Sequence, residues 1–238
     1  MITPDCIILH LQEFEKYQEA DLIYCDVLLI DGNGNPIRVM NKPEYHNRRH
    51  LIRELFRAGH PIVPFRLGIR RSVFDRIGFY DEHLAMPEDF DMIRRFVKAG
   101  LKEHHLRQTL HLRRMQPESL SRSMNINKAR DHFEVMSRIA ETFDYEELFP
   151  DIAWSKIPAE RRRLHAKCLI AATYQEIGRR YVKSEQLIMS GVAFEKASSE
   201  LNDCLKADPA NQQVRRLLQK SKLIRARYTE APQQVVSK

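Results

Sequence analysis

The sequence predicts an α/β fold in its first half and an all-α region in its second. Three observations carry this. The run LIYCDVLLI at residues 22–30 is rich in β-branched and aromatic residues and leads into the turn-prone DGNGN. Helical and extended patterns then alternate to about residue 112. From about residue 127 the apolar spacing is helical throughout, with no strand signal to interrupt it. The 238 residues have room for one large or two modest domains. A hydrophobic share of 43% beside a charged share of 30% is the composition of a globular protein.

Taken in order, Thr3, Pro4 and Asp5 read as an N-cap, a proline at the first helical position and a first-turn acid. They open an amphipathic helix to about Tyr17. The strand at 22–30 and a second near 37–40 flank the turn. Residues 47–58 are helical, with Leu51, Leu55 and Phe56 on one face and Gly59 as the stop. An apolar segment, HPIVPFRLGI at 60–69, precedes a short helix at 71–77. The next stretch, GFYDEHLAMPEDFDMIRR at 78–95, is the most informative. A Gly-Phe turn leads to Asp81 and Glu82, and then Glu88, Asp89 and Asp91 open a helix that carries Arg94 and Arg95. Pro87 suits the first turn of that helix, where its missing N–H would be unpaired anyway, and acids there are favoured by the macrodipole. By residue type alone the three acids read as capping groups. Residues 102–112 read as a mostly polar strand in which alternation puts His105 and His111 on one face. With no third ligand at suitable spacing, these and His104 are expected to be structural or surface histidines.

Past residue 127, a helix at 128–143 has the stripe Phe133, Met136, Ile139 and Ala140. Residues 144–158, holding Trp154 and two prolines, read as a connector. Helices follow at 159–181, 184–207 and 211–228, and the polar tail after Thr229 is expected to be disordered. The implied organisation is 1–126, 127–228 and a tail at 229–238.

The net charge of +7 and pI of 9.3 come from arginine pairs spread along the chain with acids between them. No helix-turn-helix, zinc-finger or RNA-binding aromatic signature accompanies them, so no nucleic-acid partner is assigned. A basic surface equally suits anionic lipid headgroups or a phosphate-rich acceptor. No apolar run approaches the ~20 residues of a membrane span, so no integral membrane segment is expected. The N-terminus lacks the basic start and small-residue cleavage site of a signal peptide. Cys6, Cys25, Cys168 and Cys204 are scattered in apolar contexts without metal-ligand spacing. Buried free thiols in a reducing compartment are the reading, which places the chain in the cytoplasm or peripherally at a membrane.

The order of elements around the 78–95 block resembles the C-terminal half of the catalytic domain in family 2 glycosyltransferases, inverting enzymes of the GT-A fold. There a "GgfdE…eDyDl..R" block precedes a strand and an "R.HpgSlS" segment. The matching residues are Gly78, Asp81, Glu82, Glu88, Asp89, Asp91, Arg95, Arg114, Pro117, Ser119 and Ser121. The stretch ADLIYCDVLLIDGNG at 20–34 also looks like the family's "adliy.D...id.dG" hairpin. The resemblance covers residues 1–123. It implies a partial GT-A domain that transfers a sugar from a nucleotide-sugar donor to a saccharide or lipid-linked acceptor, with a divalent metal, Mn or Mg. It makes Asp89 the general base and gives Glu88 a part in orienting the acceptor or tuning that base. Asp81, Glu82, Asp91, Arg95 and Arg114 fall on the acceptor or donor side. Gln116 stands where many members have His; its amide is a poor transition-metal ligand, and no metal ligand is assigned.

The family's own D-x-D motif, which holds metal and donor diphosphate, would end where this chain begins. The donor-binding half is therefore expected to be missing and the chain inactive by itself. The literal D-x-D at residues 89–91 is not its replacement, because helical residues two apart point about 200° away from each other. In the second half, Ala197, Leu201, Cys204 and Pro209 are similar to the closing helix of a tetratricopeptide repeat, and Ala171, Tyr174 and Gly178 to the opening one. That suggests one degenerate repeat, and with it a second reading: a non-catalytic helical-repeat scaffold that binds a protein partner and carries a remnant transferase domain.

Overall fold

Nine residues, Leu22–Ile30, form strand β1, around which the first half of the chain is built. The computed structural model describes residues 1–41, 44–45, 47–58, 67–84, 87–116 and 124–229. Its contacts divide the chain into two units, residues 1–55 with 59–123, and residues 56–58 with 124–238. Both α-helices and a mixed four-stranded sheet are present, an α/β architecture.

In the first unit, β1 is buried along nearly its whole length. One edge pairs antiparallel with β2 (Pro36–Met40) and with β3 (Leu67–Ile69), which share it end to end. The other pairs in parallel with β4 (Glu103–Arg114). Asp31 makes the β1–β2 turn: its carboxylate accepts the amides of Asn33 and Asn35, both at 2.8 Å, and the Asn35 side chain at 3.0 Å. Those donors hold the Asp31 carboxyl below its ordinary range.

Helix α1 (Cys6–Lys16) covers one face of the sheet. Cys6, Leu9, Phe14 and Tyr17 pack there with Ile23, Cys25, Leu106 and Leu110. β3 passes so close over α1 that a Cβ on Gly68 would lie 2.9 Å from the Phe14 ring, which is why glycine stands there. The start of α1 corrects the sequence reading. Asp5 is the N-cap, without a side-chain cap bond, while the Thr3 amide donates to the Leu110 carbonyl at 2.9 Å. The outer edge of β4 offers unpaired backbone groups, and residues 1–3 satisfy them by extending the sheet instead of capping the helix.

Helix α2 (Arg48–Ala58) is capped by Asn47, whose side chain accepts the His50 amide at 2.9 Å. Helices α3 (Arg71–Ile77) and α4 (Glu88–Lys98) follow. α4 buries Phe90, Met92, Ile93, Phe96 and Val97, each contributing about 1.5–3 kcal/mol. Pro87 occupies the N-cap.

β4 also corrects an expectation. Tyr24 pairs with His105, but irregularities on either side of Asp26 bring Val27 opposite His111. The inserted residues reset the alternation, so His105 and His111 do not share a face.

The second unit is helical, and no strand occurs among its described residues. Its helices are α5 (Ile126–Thr142), α6 (Tyr145–Leu148), α7 (Ala159–Lys183), α8 (Leu187–Ala207) and α9 (Gln212–Thr229). The expected connector is more structured than foreseen. Asp144 and Glu147 form a capping box around α6, and the Trp154 indole N–H donates to the Phe149 carbonyl at 3.1 Å.

α7 and α8 form an antiparallel hairpin. Tyr174 and Ile177 on α7 and Ala197 and Leu201 on α8 are all buried, and Gly178 lets the Phe194 ring approach. α8 begins three residues later than expected because the connection is a Schellman turn. The Glu185 and Gln186 amides donate to the Val182 and Tyr181 carbonyls, with Glu185 at φ 59° where glycine is usual. α8 ends at Ala207, just ahead of Pro209. Among the described residues no helix is long and apolar enough to cross a membrane. The expectation of a disordered tail falls on residues outside the described ones.

Two substitutions test this packing by urea denaturation. Glu185→Gly should stabilise the chain by about 1 kcal/mol by removing left-handed strain from a side-chain-bearing residue. Ala197→Phe should cost about 1–3 kcal/mol through overcrowding, and an unchanged midpoint would show that Ala197 is not a packing position.

Candidate active site

The α3–α4 connection and the first turn of α4 bring the acidic residues together. Gly78 ends α3 at φ 76°, a left-handed conformation that favours glycine. The chain beyond it is tied to α4 through Arg95. Its guanidinium donates to the Ile77 carbonyl, to Gly78 at 3.2 Å and to Phe79 at 2.9 Å. The same side chain donates through Nε to Oδ2 of Asp91 at 2.8 Å, while Arg94 Nη2 takes Oδ1 at 2.7 Å. Asp91 is only 3% exposed. Burial alone would raise its carboxyl, but the two guanidinium groups hold it below the ordinary carboxylate range.

Asp89 is the opposite case. Its Oδ1 is buried and has no hydrogen-bond partner among the described residues. Burial pushes its carboxyl above the usual range, countered in part by the amides of Phe90 and Asp89 itself. Tyr80, on the α3–α4 connection, lies within electrostatic reach of it. Its phenol is raised first by burial and then by the Asp89 and Glu88 charges, with Arg95 opposing. Phe79, stacked on Phe74 with centroids 5.2 Å apart, is 63% exposed. Asp89 and Glu88 thus form a carboxylate pair with buried oxygens in the first turn of α4, and burial makes the Asp89 carboxyl hold a proton more readily than an exposed one.

The remaining predicted residues have other surroundings. Asp81 accepts the His83 amide at 3.0 Å and shapes an exposed turn, with Glu82 exposed beside it. Arg114 lies at the end of β4, donating to the Gly32 carbonyl and reaching the Met1 sulfur at 3.7 Å. Gln116 is exposed. Pro117, Ser119 and Ser121 lie outside the described residues. Among those described, no group of three or more His, Cys, Asp or Glu side chains is arranged to hold a metal ion. Asp91 is moreover committed to two cations.

A second polar cluster, not foreseen from the sequence, lies on the sheet. His105 Nε2 is 3.0 Å from Asp26 Oδ1, and its ring stacks on Tyr24 at 4.7 Å. Glu44 approaches His105 Nδ1 at 3.9 Å and binds Arg107 through two 2.6 Å bonds. Burial raises the carboxyl of Glu103 nearby, and the phenols of Tyr24 and Tyr45 with it. The available signal was the period-2 placement of Tyr24 and Asp26 inside an apolar strand. His104 sits apart, 2.9 Å from Glu13 and stacked on Tyr17. Comparison of the chain with protein-family models and with curated proteins finds no match.

Opposite responses to pH follow for Asp91 and Asp89. Asp91, depressed in the folded state, stabilises fully above the ordinary carboxylate range, and that contribution is lost as pH falls through its lowered value. Asp91→Ala should cost about 2–4 kcal/mol at neutral pH by leaving both guanidinium groups without their carboxylate. Asp89, raised when folded, costs stability once ionised, a cost relieved as pH falls through its raised value. Asp89→Asn should therefore raise the urea midpoint at neutral pH, with the gain shrinking on acidification. A midpoint lowered by that substitution would contradict the burial of an ionised carboxylate.

Proposed function

We propose that this chain is glycosyltransferase-like, contributing the acceptor side of an inverting sugar transfer with Asp89 as the general base. The observation that carries the reading is the Asp89 carboxylate, desolvated, raised above its usual range and holding a buried oxygen with no partner among the described residues. In the transfer, an acceptor hydroxyl oxygen attacks the anomeric carbon of a nucleotide-sugar donor. The bond from that carbon to the diphosphate breaks, its electron pair leaves with the nucleoside diphosphate, and Asp89 takes the hydroxyl proton. Glu88 takes the part of orienting the acceptor hydroxyl beside Asp89. Tyr80 supplies an aromatic edge to the same site. Arg95 and Asp91 position the loop and act through it. A saccharide or lipid-linked molecule is the acceptor class.

Assayed in the full-length gene product, Asp89→Asn should lower transfer by about 10²-fold or more, because the amide keeps the shape and removes the proton-accepting oxygen. Near-normal turnover in a folded variant would remove Asp89 from the mechanism. The helical second unit favours the other reading, a scaffold that engages a protein partner. That reading predicts that partner capture and cellular function tolerate Asp89→Asn.

A further inference from the structure

Helix α9 carries Arg215, Arg216, Lys220, Lys222, Arg225 and Arg227, with no acidic residue between Gln212 and Thr229. Its inner face is fixed. Val214, Leu218 and Ser221 are buried, and the Gln175 amide of α7 donates to Ser221 Oγ at 2.6 Å and to the Leu217 carbonyl at 3.2 Å. The helix cannot roll without breaking that buried polar pair. Its outer face is therefore a line of Arg216, Lys220 and Leu223 at helical spacing, with Arg215, Gln219 and Lys222 along one shoulder, all exposed. Arg215 also braces the preceding turn at the Pro209 carbonyl, and Arg225 reaches Glu195 at 3.3 Å.

We propose that this outer face docks on a bilayer surface carrying anionic headgroups. Like charges one turn apart repel, as at Arg216 and Lys220, so the face is complementary to a negative surface and not to the chain's own groups. Leu223, 65% exposed amid the cations, decides between anionic partners. A partner that offers only phosphates has no use for an exposed leucine. At a bilayer the leucine enters the headgroup–acyl boundary while the arginine and lysine heads stay at the phosphates. Because the apolar side of α9 belongs to the protein core, contact is peripheral and its strength comes mainly from charge, about fivefold per cation near the surface. The inference does not depend on the glycosyltransferase reading.

The test is co-sedimentation of the full chain with vesicles of phosphatidylcholine alone or mixed with phosphatidylglycerol. Binding is expected only to the mixed vesicles and should weaken steeply as salt is added. The combined variant R216Q/K220Q/K222Q should lower the partition coefficient on the order of 100-fold. Leu223→Ser should lower it several-fold. The control R161Q/R163Q, at exposed basic positions on α7, should leave it unchanged, and circular dichroism should show native helix content in all variants. Equal binding to phosphatidylcholine alone would overturn the proposal, as would an unaffected triple variant. So would a Leu223→Ser variant that binds normally, or duplex DNA or RNA that displaces the vesicles through the same three cations.

Discussion

A single guanidinium, that of Arg95, sets the geometry of the acidic site. It binds the buried Asp91 carboxylate on its own helix and three successive carbonyls at the end of α3. Each half of this arrangement needs the other. Asp91 can be ionised in the interior only because cations face it, and Arg95 is held in one rotamer because the carboxylate fixes its Nε. The result anchors the start of the connection, residues 77–79, to α4. Two carboxylates two residues apart on one helix thus reach contrary electrostatic states, Asp91 held ionised by two cations and Asp89 raised by burial that two backbone amides only partly offset.

Beneath that site the physics is apolar. Five buried side chains of α4 offset the cost of holding Asp89 ionised nearby, which is how a fold can tolerate a poorly solvated carboxylate. The sheet makes a similar accommodation. β1 is apolar except at Asp26, and that carboxylate is met by His105 from the neighbouring strand. In the second unit the polar exceptions are smaller: the Tyr174 hydroxyl lies 3.2 Å from Ser137 Oγ within an aromatic cluster that includes Phe56 and Phe133. Cys168 and Cys204 add a pair of thiols 3.7 Å apart, and burial pushes the second up to about 12, which keeps it protonated and unreactive.

What could be read from the sequence was the period and the punctuation. β1 and α3 have the bounds that their residue patterns indicate, and α7 and α9 differ from theirs by two residues or fewer at each end. Local signals sufficed there because apolar spacing and stop residues agree. The errors fall where a distant partner decides. Thr3 has every local reason to cap a helix, yet the open edge of β4, over a hundred residues away, claims its backbone. His105 and His111 alternate correctly on paper, but the register with β1 is broken by irregularities that no local pattern marks. At the site, residue identity suggested that Asp89 and Asp91 differ in role, since they point apart on a helix. It could not reveal that Asp89 Oδ1 is buried without a hydrogen-bond partner among the described residues, nor that Glu44 comes alongside His105 from across the sheet.

The buried Gln175–Ser221 pair also has a kinetic meaning. A helix free to rotate could sink its apolar side into lipid and remain there for long periods. α9 is pinned by that hydrogen bond, so its encounters with an anionic surface are held by long-range attraction and one leucine. Such encounters form quickly and end quickly. On the proposed docking the visits are many and brief, and because each stay is short, occupancy depends on how quickly local negative charge draws the chain back.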